Sequence, residues 1–210
     1  LQFKLEKQLK YFENSKDEVG AVCCGFYLIR NNKVYKKITL DEDNALEKLF
    51  LMELHLSVGS SLMVKKNVFK SLNGFDENFE RHQGWEFLVR LLQKYSMKIV
   101  PEYLVVKYGS NPVSANKLAE VKKIFFKKFS DIIHSFGKKR AKKIYIKHWL
   151  FLSRCFFNEK SYGKSFYFLK KSIQSNIYFT FKLLILKFLK NLSKWERPTK
   201  KYPKNILENK

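Results

Sequence analysis

Between Gly59 and Pro101 the chain sets small, acidic, aromatic and basic residues in an order that could serve proton transfer and the binding of a sugar or phosphate. Gly59, Ser60 and Ser61 can offer backbone N–H groups and hydroxyls to a ligand that approaches the main chain closely. Asp76, Glu77 and Glu80 follow in the loop GFDENFE, and His82, Trp85, Glu86 and Arg90 gather where the next helix begins. A carboxylate in such a place can act as a general base, and a histidine can take a proton, hold a metal or bind a diphosphate. Each group also has a plainer use. Asp76 can cap its own turn, Glu86 can face the helix dipole, and Arg90 lies one turn after Glu86, where an ordinary helical ion pair forms. A lone histidine in a polar loop, such as His82, is more often simply solvated.

These residues need elements to position them. Ser57 to Val64 reads as a short strand interrupted by Gly59, Val68 to Leu72 as one helical turn stopped by Asn73-Gly74, and Gly84 opens a helix with Trp85, Leu88, Val89, Leu91 and Leu92 at helical spacing. Upstream, Leu1, Leu5, Leu9 and Phe12 make one face of a helix closed by Asn14-Ser15. Val19 to Ile29 and Val34 to Leu40 read as a hairpin about Asn31-Asn32, and Asp43 as the N-cap of a helix carrying Leu46, Leu49, Phe50 and Glu53. Met97 to Val106 reads as strands around Pro101. Strands alternating with helices favour an α/β sheet over a bundle. From Ser114 onward only helical periodicity remains, predicting helices over 116–136, 139–157, 161–175 and 177–194. Within these, Trp149 to Phe157 and Tyr162 to Ser175 resemble a tetratricopeptide-type pair. The expected organisation is an α/β unit over 1–113 followed by an all-α region over 114–210.

The order of features resembles the C-terminal part of the catalytic domain of family 2 glycosyltransferases. The resemblance rests on Gly59-Ser60-Ser61, on Gly74-Phe75-Asp76-Glu77, and on Trp85-Glu86 with Arg90, and it covers roughly the first half of the chain. It implies part of a GT-A-like mixed sheet with flanking helices and an inverting transfer of sugar from a nucleotide-sugar donor to a cell-surface glycan or lipid-linked acceptor. By the same resemblance Gly59, Ser60, Ser61, Asp76, Glu77, His82 and Trp85 would line the acceptor side, with Glu86 and Arg90 at the catalytic centre. The Gln-x-x-Arg-Trp pattern of processive relatives is absent, which implies transfer of single sugars.

Two departures from the family pattern qualify the activity. The residue before the Trp is usually Asp, the general base that deprotonates the acceptor hydroxyl, and here it is Gly84. On a helix Glu86 points about 200° away from that position, so it does not inherit the role. In the family a divalent metal, Mg or Mn, is held by an Asp-x-Asp loop, and LQFKLEKQLKYFENS resembles the helix that directly follows that loop. The loop and the nucleotide-binding strands before it are absent, so the chain is expected to be the later part of a larger enzyme, inactive or impaired by itself. The alternative is a noncatalytic binding or scaffold module.

Charge separates the two halves. Of a net charge of +23, residues 1–113 carry +3 and residues 114–210 carry +20. A 210-residue chain with 45% hydrophobic and 16% aromatic residues can bury a core and is not of disordered composition. Between Ile177 and Trp195, Lys182, Lys187, Lys190 and Lys194 fall within about 140° of arc opposite aromatic and aliphatic residues, the pattern either of a helix lying on an anionic membrane surface or of one whose apolar face packs on the preceding helix while its lysines are solvated. No run approaches the roughly 20 uncharged apolar residues of a membrane span. Nucleic acid is the poorer match for this charge: 36 of the basic residues are Lys and 6 are Arg, and no helix-turn-helix, zinc finger or ribonucleoprotein motif occurs. Adjacent Cys23-Cys24 and a distant Cys155 give no metal spacing, and a reduced cytoplasmic setting, peripheral at the inner face of the membrane, is expected.

Overall fold

The computed structural model describes residues 3–15, 18–30, 33–39, 42–109 and 113–193, with side chains followed as far as residue 186. Leu1, Leu40, the Asn31-Asn32 turn, Trp195 and the side chains of Lys187, Lys190 and Lys194 lie outside the described residues.

The sheet is built on one strand. Strand β1 (Val19–Arg30) is apolar on both sides, and Ala21, Val22, Cys23 and Cys24 are all but inaccessible, as in a strand covered on two faces. One edge of β1 carries β2 (Lys33–Lys37) antiparallel, with Phe26 opposite Lys37, and nearer its start β3 (Leu62–Val64), also antiparallel, with Val22 opposite Met63. The other edge carries β4 (Ser96–Tyr108) in parallel, with Cys23 beside Ile99 and Tyr27 beside Val106. The expected strands around Pro101 are thus one strand. Its register slips between Cys24, Gly25 and Phe26, opposite Val100, Tyr103 and Val105, so Pro101 falls in an irregularity where its missing N–H breaks no ladder.

Helices cover both faces. Ala21, Cys23, Met97 and Ile99 join one cluster with Leu49 and Phe50 of α2 (Ala45–Phe50) and with Phe87, Leu88 and Leu91 of α5 (Gln83–Leu92). Val121 and Phe125 of α6 (Ala115–Lys128), Ile133 of α7 (Ser130–Ser135) and Ile144 of α8 (Lys138–Asn158) enter the same cluster, so the helical region shares its core with the α/β part. Val22, Cys24, Phe26, Val100, Leu104 and Val105 line the opposite face under Tyr11 and Phe12 of α1 (Lys4–Glu13).

Four local readings are corrected. On α1 the inward residue is Gln8, whose Nε2 donates to the carbonyls of Val22 and Ser61, both at 2.9 Å, while Leu5 and Leu9 are exposed. The cap of α2 is Asn44, at φ 52°, rather than Asp43. The helix expected over 116–136 breaks at Phe129, which is buried against Phe50 and Phe125 and so anchors a turn between α6 and α7. Ser57 to Val64 begins as a helical turn, α3 (Val58–Ser61), before becoming β3. The reason is local: Ser61 Oγ donates to the carbonyl of Ser57 at 3.1 Å and accepts its N–H at 3.0 Å, which closes the turn.

Helix α9 (Tyr162–Ser175) returns along α8, held by Ser165 Oγ donating to the Ser153 carbonyl at 2.9 Å and by Phe156 stacked on Phe168. Helix α10 (Ile177–Ser193) then meets α9 through Thr180, whose hydroxyl donates to the Ser172 carbonyl at 2.9 Å. Ile177, Tyr178, Phe181 and Ile185 remain exposed. Among the described residues no helix is long and apolar enough to cross a membrane.

Candidate functional site

The GFDE loop is set by the helix before it. Helix α4 (Lys66–Ser71) ends in two left-handed residues, Asn73 at φ 56° and Gly74 at φ 63°, a conformation that glycine takes without strain. Phe75, Phe69 and Phe87 then form a ring cluster with centroids 5.3–5.4 Å apart, and Phe79 is buried beneath the loop. Asp76 Oδ1 accepts the backbone N–H of Asn78 at 3.0 Å, and its other oxygen meets Lys128 Nζ at 2.5 Å. The Lys128 hydrogen bond holds the Asp76 carboxyl below the usual carboxylate range, helped by the Asn78 N–H.

Glu86 belongs to this same group. It is fully buried, its Oε1 accepts from Arg90 Nε at 2.7 Å and meets Lys128 Nζ at 2.8 Å, and its Oε2 accepts from Arg90 Nη2 at 2.7 Å. Arg90 continues to the loop, donating to the carbonyls of Leu72 and, at 2.7 Å, Gly74. Both Glu86 oxygens are therefore committed to internal cations, and this geometry suits a positioning pair that fastens the loop to α5. Glu77 is exposed on the same loop.

The small residues divide. Ser61 faces inward, whereas Gly59 and Ser60 are exposed, and a Cβ built on Gly59 meets nothing within 4 Å. The strand expected at Gly59 is thereby corrected to an open helical turn. Gly84 is the reverse case: a Cβ there would lie 2.5 Å from Cγ1 and 2.8 Å from Cβ of Val58. The position where the family resemblance would put an aspartate is filled by close packing of α5 on α3.

Next to Gly84 lies a second group. His82, in the left-handed region at φ 63°, caps α5 through its carbonyl, which accepts the N–H groups of Trp85 at 2.8 Å and Glu86 at 2.9 Å. Its ring stacks on Trp85 at 5.9 Å and its Nδ1 is buried with no hydrogen-bond partner, so the simply solvated histidine is corrected too. Burial, with the positive charge of Lys122 and Arg81 nearby, lowers the His82 pKa to about 4. Lys122 reaches over the Trp85 ring at 5.1 Å and is itself only 3% exposed. No carboxylate pairs with it among the described residues, and burial lowers its pKa to about 7, with Cys155 nearby acting the other way.

His82, Trp85 and Lys122 stand together on the wall of a cleft of about 1280 Å³, which continues past Arg154 and Ser153 to apolar side chains of α8, α9 and α10. Lys122 was not among the site residues read from sequence. A signal was present: Leu118, Lys122, Phe125 and Phe129 share one helical stripe, and a lone charge on an apolar stripe marks a buried cation.

A divalent metal does not fit these residues. Among the described residues no three His, Cys, Asp or Glu side chains come together as ligands, and the best-placed carboxylates, Asp76 and Glu86, are held by Lys128 and Arg90.

No family model matches the chain. No solved structure matches it. Over 122 residues it is 32% identical to an uncharacterized glycosyltransferase of Methanocaldococcus jannaschii, a match covering 57% of this chain and 41% of that relative. The chain thus spans less than half the length of the relative it matches. With the open α3 turn, the fastened acidic loop and the Trp85 cleft already in place, that similarity relates the chain to glycosyltransferases.

Proposed function

We propose that this chain forms the acceptor-side part of a family 2, GT-A-type glycosyltransferase that is inverting and non-processive. It would move a sugar from a nucleotide-sugar donor to a cell-surface glycan or lipid-linked acceptor. The observation that carries the reading is the placement of Gly59 and Ser60 on an open turn packed through Val58 against Gly84, beside His82 and Trp85. An open glycine lets a ligand approach the main chain, and an indole face receives the apolar face of a sugar ring. In this reading Asp76, Glu86, Arg90 and Lys128 are positioning residues. Donor and metal sites would lie on a further part of the enzyme, so no step is routed through a metal here. The α10 region, with exposed Tyr178 and Phe181 and its lysines, would rest on an anionic membrane surface.

The sealed base position favours a second reading, a noncatalytic binding module, because Gly84 offers no proton acceptor and Val58 occupies its surroundings. The test is an assay of the intact native protein with a panel of nucleotide sugars, with Mg or Mn and an extract of its own cells as acceptor source. Labelled sugar recovered in a glycan or lipid fraction is the expected result. Donor left intact under every condition would leave the binding module.

A further inference from the structure

The cleft beside Trp85 joins two unlike surfaces. Lys122, Arg154 and His82, whose Nδ1 is buried without a hydrogen-bond partner, stand on its wall, and Leu150, Phe151, Phe157, Leu169, Leu183 and Leu184 line it as well. A buried lysine without a carboxylate is costly to fold around, which is a reason to look for an anion that completes it. The volume, about 1280 Å³, exceeds the roughly 300–1,000 Å³ of ordinary small-molecule sites, leaving room for a chain behind the head.

We propose that this cleft holds a lipid phosphate, its phosphate at Lys122 and His82 against the Trp85 ring and its hydrocarbon chain between α8, α9 and α10. The proposal deepens the acceptor half of the transferase reading and rests on it for the reaction. It also accounts for Gly84. A hydroxyl acceptor must lose a proton as it attacks, whereas a phosphate monoester, with a second pKa near 6, is largely ionised at neutral pH. In the step one phosphate oxygen forms a bond to the anomeric carbon, the bond from that carbon to the nucleoside diphosphate breaks, and its electron pair leaves with the diphosphate. The acceptor phosphate passes from dianion to monoanionic diester and the diphosphate gains that charge, so no general base is required.

Binding is measured apart from transfer, by titration calorimetry of the purified chain with decyl phosphate, decanol and inorganic phosphate. Decyl phosphate is expected to bind at least tenfold more tightly than either control, with affinity falling about fourfold for each methylene removed. Lys122→Met should abolish the preference for phosphate over alcohol while raising Tm by about 3 °C or more, because a buried charge is replaced by an apolar side chain of similar length. A raised Tm shows that the variant folds, so its loss of binding is then a local effect. Equal binding of decanol and decyl phosphate would make the cleft a plain apolar groove for a protein or membrane segment and overturn the proposal. Equal binding of inorganic phosphate, or a Lys122→Met variant that keeps the phosphate preference, would overturn it as well. Phosphate-selective binding without sugar transfer by the intact protein would instead fault the transferase reading and leave the site standing.

Discussion

Residue by residue, the cluster that looked most catalytic is the one most fully committed to holding the fold. Glu86 has no exposed surface and gives both oxygens to Arg90 and Lys128, and Arg90 spends its remaining donors on the carbonyls that precede the GFDE loop. Replacing it removes the shared anion and leaves two cations facing one another. Glu86→Gln is expected to destabilise the protein by about 3 kcal/mol, the lower end of the range for broken buried pairs because Arg90 and Lys128 keep some contact with water. Urea unfolding of the variant checks this, and a loss below about 0.5 kcal/mol, the level of an exposed helical pair, would show that the network contributes little. The sequence showed the i, i+4 spacing of Glu86 and Arg90 but not their burial. Lys128, which completes the group, arrives from α6, and no local pattern announces a contact between residues so far apart in the chain.

At the scale of elements, period governed what could be read. The β1–β2 hairpin, α5, α8, α9 and α10 carry clear spacing of apolar residues, and they stand where the pattern puts them, within the usual drift at their ends. Gly59-Ser60-Ser61 carries no period, since small residues fit strand and helix alike, and the outcome was decided by the bonds between Ser57 and Ser61. Helix α1 misled for a different reason: Gln8 satisfies the carbonyls of Val22 on β1 and Ser61 at the end of α3, and that need turned Leu5 and Leu9 outward. The α3–α5 contact allows a sharp test. Gly84→Ala places a methyl 2.5 Å from Cγ1 of Val58 and should cost about 1–3 kcal/mol by overpacking, whereas Val58→Ala in the same chain, which removes both Cγ atoms and leaves Cβ at 2.8 Å, should return part of it. A double variant no more stable than Gly84→Ala would show that the strain lies elsewhere. Gly84→Asp, the change that would restore a carboxylate before Trp85, therefore needs Val58→Ala beside it.

For the molecule as a whole, three buried bases set the dependence of stability on pH. His148 is fully buried, its Nε2 donates to the Phe50 carbonyl at 2.8 Å, and burial lowers its pKa well below 6.5, opposed only in part by that hydrogen bond. His82 falls to about 4 by the same cause. Below 6.5 the unfolded chain binds protons that these two folded histidines refuse, so stability is lost as pH falls, by up to about 1.4 kcal/mol per unit for each group. Lys122 titrates near 7 when folded and 10.5 when unfolded, so between those values the unfolded state again holds the extra proton and stability rises with pH. The urea midpoint should therefore climb from pH 5 through pH 7 to pH 9, and a midpoint flat across that range would mean that these groups are more hydrated than their positions imply.

The parallel pairing of β1 with β4 has a consequence for synthesis. The central strand leaves the ribosome well before its parallel partner, since the strand that completes its second edge begins only at Ser96, after two strands and four helices have been made. At roughly 5–20 residues per second, Val22, Cys24 and Phe26 wait several seconds with that edge unmatched. During translation the nascent sheet is an adhesive surface, and a holdase that shields it should raise the yield of folded chain more than any change made to the finished core.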